Sequence, residues 1–311
     1  EVGSSTDNFP QIKLHPSFMF MLSLLLIITV GAGLLMLPEM TTIEGGMNVI
    51  DAFFTSTSAT CVTGLMVQDT HTFFTFKGQM VILILVKLGG LNIISFGSFM
   101  ALASKFGIGI KENNGMEDFL NKESSLSAKG MMSRVIRWSI MIELSGALLM
   151  YFSWDDSVHF KTIGDRIFCS VFHSVAAFNN AGISLFTDGL YHESVRYNYA
   201  IHCIVAALIF FGALGFLSIF DIFSWDKMKK RMKTRWKHLD FSTKIALYFS
   251  LILVGIGAVF FFFLEDNNTL GSHNLFGDIV TSLFHSITTR TAGFNTIDIG
   301  AIGTPMLIIM I

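Results

Sequence analysis

Charge is what this sequence has least of. Only 14% of its 311 residues are Asp, Glu, Lys or Arg, against about 25% in an ordinary soluble domain. Apolar residues make up 52% of the chain and the mean hydropathy is +0.60. A water-soluble fold has nowhere to hide so many apolar side chains, so the composition excludes an ordinary soluble domain. Cysteine is scarce too. Cys61, Cys169 and Cys203 are odd in number and widely spaced, which argues against a disulfide framework or a zinc site. The sequence has no phosphate-binding Gly-Lys-Ser loop, no His-Glu-x-x-His and no nucleophile elbow, so neither an enzyme nor an organic cofactor is expected. The formal charge of −2 by itself says nothing of nucleic acid, and no nucleic-acid partner is expected.

What is present is a series of long apolar runs, at about 17–38, 78–103, 131–153, 200–223, 243–264 and from 305 onward. Phe18 to Leu37 holds no charge over twenty residues and would span about 30 Å as a helix, the thickness of a bilayer's hydrocarbon core. It is too long for a signal-peptide core and is read as a retained spanning helix. Between the long runs lie shorter ones, Asn48 to Thr60, Thr162 to Phe178 and Asn274 to Thr289, which as helices reach only about 20 to 25 Å. Each ends in a small polar turn with one glycine: Thr60 to Leu65 around Gly64, Asn179 to Ile183 around Gly182, and Arg290 to Phe294 around Gly293. Phe54, Phe172 and Phe284 stand ten, ten and nine residues before those glycines. The order of long helix, short helix, turn and long helix therefore occurs three times, and a repeat at this scale fixes the architecture before any single motif does.

The repeats divide the chain into a polar tail (1–16), a first repeat (17–103), a connection (104–130), a second repeat (131–223), a basic connection (224–242) and a third repeat (243–311). If the tail is cytoplasmic, 15 of the 21 basic residues fall on the inner side, and the positive-inside rule makes this the expected orientation. The short helices and turns then enter from outside, where 13 of the 23 acids lie, an arrangement that concentrates cations at the mouth. The fold class expected is an all-α polytopic membrane protein built from units of helix, re-entrant helix with its loop, and helix around a central ion pore.

Irregular backbone at membrane depth survives only where it is buried in protein or lines an aqueous cavity. Three matched turns point to one shared pore. A short helix descending into the membrane brings its partly negative C-terminal end toward the centre, which favours a cation there, and the carbonyls of the turn can replace the ion's hydration shell.

The motifs Ser-Ala-Thr-Cys-Val-Thr-Gly-Leu at 58–65, Phe-Asn-Asn-Ala-Gly-Ile at 178–183 and Thr-Thr-Arg-Thr-Ala-Gly-Phe-Asn-Thr at 288–296, set in these repeats, resemble the Trk/Ktr/HKT superfamily of potassium transporters. The Ktr membrane subunit is the nearest in type, because the first repeat starts directly after a short polar tail. The resemblance implies a selectivity filter drawn from Cys61, Val62, Thr63 and Gly64, from Asn179, Asn180, Ala181 and Gly182, and from Arg290, Thr291, Ala292 and Gly293. Potassium, the transported substrate, would lie at the carbonyls of Val62, Thr63, Asn180, Ala181, Thr291 and Ala292. It also implies a bacterial plasma-membrane location, a homodimer in the lipid bilayer, a cytosolic ring of nucleotide-binding regulatory subunits, and four repeats around one pore. Lys229, Lys230 and Arg231 in the basic connection are the expected regulator contact.

Other residues read less specifically. Arg290 is expected to be tied behind the backbone to an acid such as Asp278 or Asp298. Lys87 and Glu143 lie within spanning segments, where ionisable groups are functional candidates; pairing with a polar neighbour, snorkelling and transport are all open. His173 and His285, at matching places in the short helices, are read as hydrogen-bonding helix-packing residues rather than metal ligands. An alternating-access transporter of another solute and a non-transporting scaffold are the alternative functions. The first fits poorly with three repeats of one orientation, and the second does not explain three matched turns. A fourth repeat is expected in the sequence after Ile311. Reading the complete gene tests this: a further helix, pore loop and helix is the expected result, and its absence would make a single-chain pore untenable.

Overall fold

The computed structural model describes residues 16–107, 128–223, 228–229, 239–266, 268–271 and 274–310. Among these residues the elements are helical, with one isolated antiparallel bridge between Thr41 and Phe74. The first unit is α1 (Pro16–Leu35), α2 (Val49–Thr60) and α3 (Phe76–Gly107). The second is α4 (Ala128–Ser153), α5 (Ile163–Phe178) and α6 (Tyr199–Ala213), followed by the short α7 (Phe216–Phe223). The third is α8 (Phe241–Glu265), α9 (Leu275–Thr288) and α10 (Thr304–Met310).

Among the described residues two helices, Ser133–Ser153 within α4 and the whole of α8, are long and apolar enough to cross a membrane, and Phe20–Leu35 and Tyr199–Ala213 are shorter apolar helices. α8 presents Phe249, Ile252, Ile256 and Phe263 on its exposed face, and α4 presents Leu144, Leu148 and Phe152. Continuous apolar surface of this kind suits lipid rather than water.

The short helices start within one residue of where the sequence places them, and local chemistry sets both ends. Asp51, Asp165 and Asp278 lie in their first turns, complementing the positive end of each helix dipole. Thr162 and Asp165 close a capping box on α5, with bonds of 3.1 and 3.0 Å, and Asn274 Oδ1 accepts from Gly277 N on α9 at 2.8 Å. α2 has no side-chain cap.

Inside each unit the short helix is fixed by the same device. Ser56 Oγ donates to the carbonyl of Ile28 (2.8 Å), Ser174 Oγ to that of Glu143 (2.6 Å) and Ser286 Oγ to that of Val254 (2.8 Å). Three residues after each acceptor comes a glycine, Gly31, Gly146 and Gly257, on which a Cβ would run into the serine hydroxyl. The incoming helix thus has no side chain where the short helix comes closest, and the serine bond fixes the height of one against the other.

The units then chain together, because α3 packs on α5 and α6 packs on α9. This explains the phenylalanine repeat. Phe172 and Phe284 are each 1% exposed, whereas Phe54, the matching residue of α2, is 43% exposed. Among the described residues no outgoing helix of another unit covers α2 as α3 covers α5.

One expectation is corrected. The apolar run 200–223 is not a single helix: it breaks after Ala213, and Gly215 takes the left-handed region at φ +80° before α7 begins, a conformation open to glycine and strained for other residues.

Gly257 and Gly255 lie two residues apart in α8, yet a Cβ on Gly255 meets nothing within 4 Å. Gly257→Ala should therefore lower thermal stability, by about 1–3 kcal/mol if the Ser286 bond is displaced. Gly255→Ala should leave it unchanged or raise it by up to about 1 kcal/mol. Melting curves of the two purified variants check this; equal midpoints would show that the serine contact does not hold α9.

Candidate functional site

The three turns begin where α2, α5 and α9 stop. After α2 the N–H of Val62 bonds to Ala59 O (3.4 Å) and that of Thr63 to Ser58 O (2.8 Å); after α5 the N–H of Asn180 bonds to Ala177 O (3.0 Å) and that of Ala181 to Ala176 O (2.7 Å). Both are Schellman closures, in which the residue past the cap is left-handed. Here that residue is Val62 (φ +58°) and Asn180 (φ +57°) rather than glycine, a strained state for a β-branched residue. Two residues on, Gly64 and Gly182 are left-handed again, at φ +79° and +66°.

The third turn is built differently. The N–H groups of Thr291, Ala292 and Gly293 all bond to Thr288 O, at 3.2, 2.9 and 3.0 Å, and only Gly293 is left-handed, at φ +78°. The spacing of nine rather than ten residues from Phe284 to its glycine is the sequence mark of this difference.

The turns are brought together in order. A Cβ on Gly64 would collide with the carbonyl oxygen of Ala181, and one on Gly182 with that of Ala292, whereas a Cβ on Gly293 would meet nothing within 4 Å. Each of the first two glycines therefore lies against the carbonyl of the next turn around. Thr291 Oγ1 reaches Asn180 Oδ1 at 3.4 Å. Farther out, Thr187 Oγ1 donates to Asp69 Oδ2 (2.7 Å) and Asn295 Nδ2 to Asp188 O (3.0 Å). The four sequence-selected residues of each turn are thus contiguous, and the three sets are neighbours.

The outgoing helices allow this convergence. A Cβ on Gly89 of α3 would strike the carbonyl of Thr60, the last residue of α2, and one on Gly212 of α6 would strike that of Phe178, the last of α5. Behind the turns, His173 Nε2 meets Ser184 Oγ at 3.0 Å and His285 Nε2 meets Thr296 Oγ1 at 3.0 Å, each eleven residues along the chain. His173 Nδ1 donates to Cys169 O at 2.8 Å. Both imidazoles therefore tie a short helix to the segment that leaves its turn.

Among the described residues no protein donor reaches the carbonyls of Val62, Thr63, Gly64, Asn180, Ala181, Gly182, Thr291, Ala292 or Gly293. Ala181 is 0% exposed and Ala292 2%, so their two carbonyls are buried acceptors of the kind that folded proteins rarely leave unpaired, whereas Val62, Gly64, Asn180 and Gly182 are half-buried and Thr63, Thr291 and Gly293 are exposed.

Arg290 departs from expectation. It bonds neither to Asp278 nor to Asp298; its guanidinium donates to Ser250 O (3.0 Å) and approaches Ser250 Oγ (3.3 Å) on α8, and the residue is exposed. Asp298 instead accepts from Gly300 N at 2.9 Å. Lys87 and Glu143 form an ion pair, with Nζ 2.6 and 2.7 Å from the two carboxylate oxygens. Gly89 and Gly212 stand out in the sequence as an echo between the outgoing helices, whereas the serine clamps and the incoming-helix glycines Gly31, Gly146 and Gly257 were missed there. The recurring Phe-x-Ser at 54–56, 172–174 and 284–286 carried part of that signal. Of the basic cluster, Lys229 is exposed, and Lys230 and Arg231 lie outside the described residues.

Comparison with known proteins agrees with this architecture. The Ktr system potassium uptake protein B of Bacillus subtilis (strain 168) is 35% identical over 298 residues, covering 93% of this chain and 62% of that protein. The protein of the same description from Vibrio alginolyticus is 31% identical over 293 residues, covering 94% and 62%. The crystal structure of the potassium transporter TrkH from Vibrio parahaemolyticus superposes with a TM-score of 0.64 at 19% identity, over 96% of this chain and 56% of that one. The chain thus spans about three fifths of the length of these relatives. Residues 19–311 match the TrkH family described as cation transport proteins, and the chain belongs to that family of membrane proteins.

Proposed function

We propose that this chain forms the greater part of a pore that lets potassium into a bacterial cell across the plasma membrane. The observation that carries the reading is the set of nine turn carbonyls, drawn from three adjoining turns, that no protein donor satisfies among the described residues. A dehydrated cation supplies what those oxygens lack. Cys61, Asn179 and Arg290 begin the three turns, and the carbonyls of Val62, Thr63, Asn180, Ala181, Thr291 and Ala292 take the ion, joined by those of the glycines. The C-terminal ends of α2, α5 and α9 add negative potential. Relatives that are potassium uptake proteins support potassium as the cargo. Uptake needs no chemical step: a membrane potential gives about 2.3 kcal/mol per charge per 100 mV, enough for roughly fifty-fold accumulation.

The ring that these turns begin is open on both sides. Gly293 faces open space where Gly64 and Gly182 each face a neighbour's carbonyl, and Phe54 is exposed where its counterparts are buried. A fourth unit of the same kind fits between them, its turn against Gly293 and its outgoing helix on α2. With the N-terminus cytoplasmic, the basic connections face inward. There a ring of nucleotide-binding subunits would meet Lys229, Lys230 and Arg231, on a homodimer of this subunit. Replacing these three by Glu should weaken co-purification with the regulator or its control of uptake while leaving the folded pore. Unchanged binding and regulation would remove them from the interface.

Gly182→Ser is the test of the pore. The substitution puts a side chain on a left-handed residue against Ala292 O, so rubidium uptake by the reconstituted intact protein should become less selective for potassium over sodium. Leu208→Met, a packing change in α6, should leave that preference intact. The same preference in Gly182→Ser and in the parent would show that the turn does not select the ion.

A further inference from the structure

Glu143 is attached to the second unit's short helix at two points. Its backbone carbonyl accepts from Ser174 Oγ at 2.6 Å, the clamp found in all three units. Its carboxylate does something the other units do not repeat. Oε1 accepts from Asn179 Nδ2 at 3.0 Å, and Asn179 is the cap residue of α5, directly before Asn180, Ala181 and Gly182. The same Nδ2 donates to Val175 O at 2.8 Å. Lys87 from α3 lies on the far side of the carboxylate, and Ser139 Oγ bonds to both, at 2.6 Å from Lys87 Nζ and 3.1 Å from Glu143 Oε1. Three residues on from Lys87, on the same face of α3, Gly90 leaves the space that Asn179 Oδ1 occupies; a Cβ there would collide with it. The Asn179 side chain is thus held between α3 and α4 by a carboxylate, a helix carbonyl and a glycine.

Neutralisation alone does not account for the pair. Two charges withdrawn from water cost more than their attraction returns unless further bonds use them, and apolar residues of similar size often do as well. This chain uses apolar residues at the matching places: the serine acceptors of the other units are Ile28 and Val254, and Phe210 stands one unit on from Lys87 when Gly89 is matched to Gly212. The group that the charged version reaches and the apolar versions do not is the cap of the turn.

We propose that Glu143, charge-balanced by Lys87, is a positioning residue for the second turn: its carboxylate fixes Asn179 and thereby the placement of the carbonyls of Asn180, Ala181 and Gly182 that discriminate between cations. The inference rests on the reading of the turns as the ion-selecting site. It requires an acceptor at position 143, not a charge, and so separates from a purely structural role.

The test uses the reconstituted intact protein, with rubidium uptake competed by sodium and by potassium and normalised to folded protein. Lys87→Met/Glu143→Gln removes both charges but keeps an oxygen for Asn179, whereas Lys87→Met/Glu143→Leu removes both charges and the oxygen. The Gln double should keep the parent's preference within about twofold, and the Leu double should lose it by about tenfold, the equivalent of one buried hydrogen bond. Asn179→Ala, with the ion pair left in place, should show the same loss and carries the test if the Leu double does not fold. Equal preference in the two doubles, whether kept or lost, or parental preference in Asn179→Ala, overturns the proposal. Gly182→Ser run alongside keeps the two failures apart: if it too has parental preference, the pore reading itself has failed, and if it alone is altered, only the role of Glu143 has.

Discussion

A helix that stops partway across a bilayer leaves its last carbonyls without intrahelical donors, in a medium that offers none. The short helices α2, α5 and α9 face this problem, and much of the surrounding structure answers it. Part of the debt is met by the turn itself: Ser58, Ala59, Ala176, Ala177 and Thr288 receive N–H groups folded back from the turn. The final carbonyls of Thr60 and Phe178 are approached by the outgoing helices at Gly89 and Gly212. The turn carbonyls beyond them have no protein donor among the described residues, and a cation of the right size is the partner that the proposed function gives them.

Holding such acceptors in place requires the helices behind them to be fixed in height, since a shift of one residue along a helix is about 1.5 Å. The serine bonds to Ile28, Glu143 and Val254 do this three times with the same geometry. Symmetry is then relaxed where the units differ. The third turn is a residue shorter and needs only Gly293 to be left-handed, whereas the first two also place Val62 and Asn180 there, a strained state for Val62. The second unit alone adds a carboxylate to its cap, and its outgoing helix is interrupted at Gly215.

The sequence carried the architecture because length is a strong signal in a membrane: runs of 12, 16 and 14 helical residues cannot cross where runs of 20 or more do. The turns were legible for the same reason, each being a polar break with a glycine after a helix too short to span. Contacts between units were not. Gly31, Gly146 and Gly257 act by lacking a side chain, which leaves nothing to read until the partner serine, 25 to 29 residues later, is placed beside them. Lys87 and Glu143 were visible as out-of-place charges, but their meeting depends on how α3 crosses α4. Arg290 is not paired with an acid because a backbone carbonyl and a hydroxyl at Ser250, contacts that sequence does not display, take its donors.

The central claim, that the three turns together hold a dehydrated cation, is tested most directly by locating the ion. Crystals of the intact protein grown with thallium or rubidium in place of potassium would show the bound ion by its anomalous scattering. The account predicts a peak within direct coordination distance of carbonyls from all three turns, including those of Val62, Asn180 and Thr291, and its loss when sodium replaces the heavier ion. A peak elsewhere in the protein with none between the turns would contradict it.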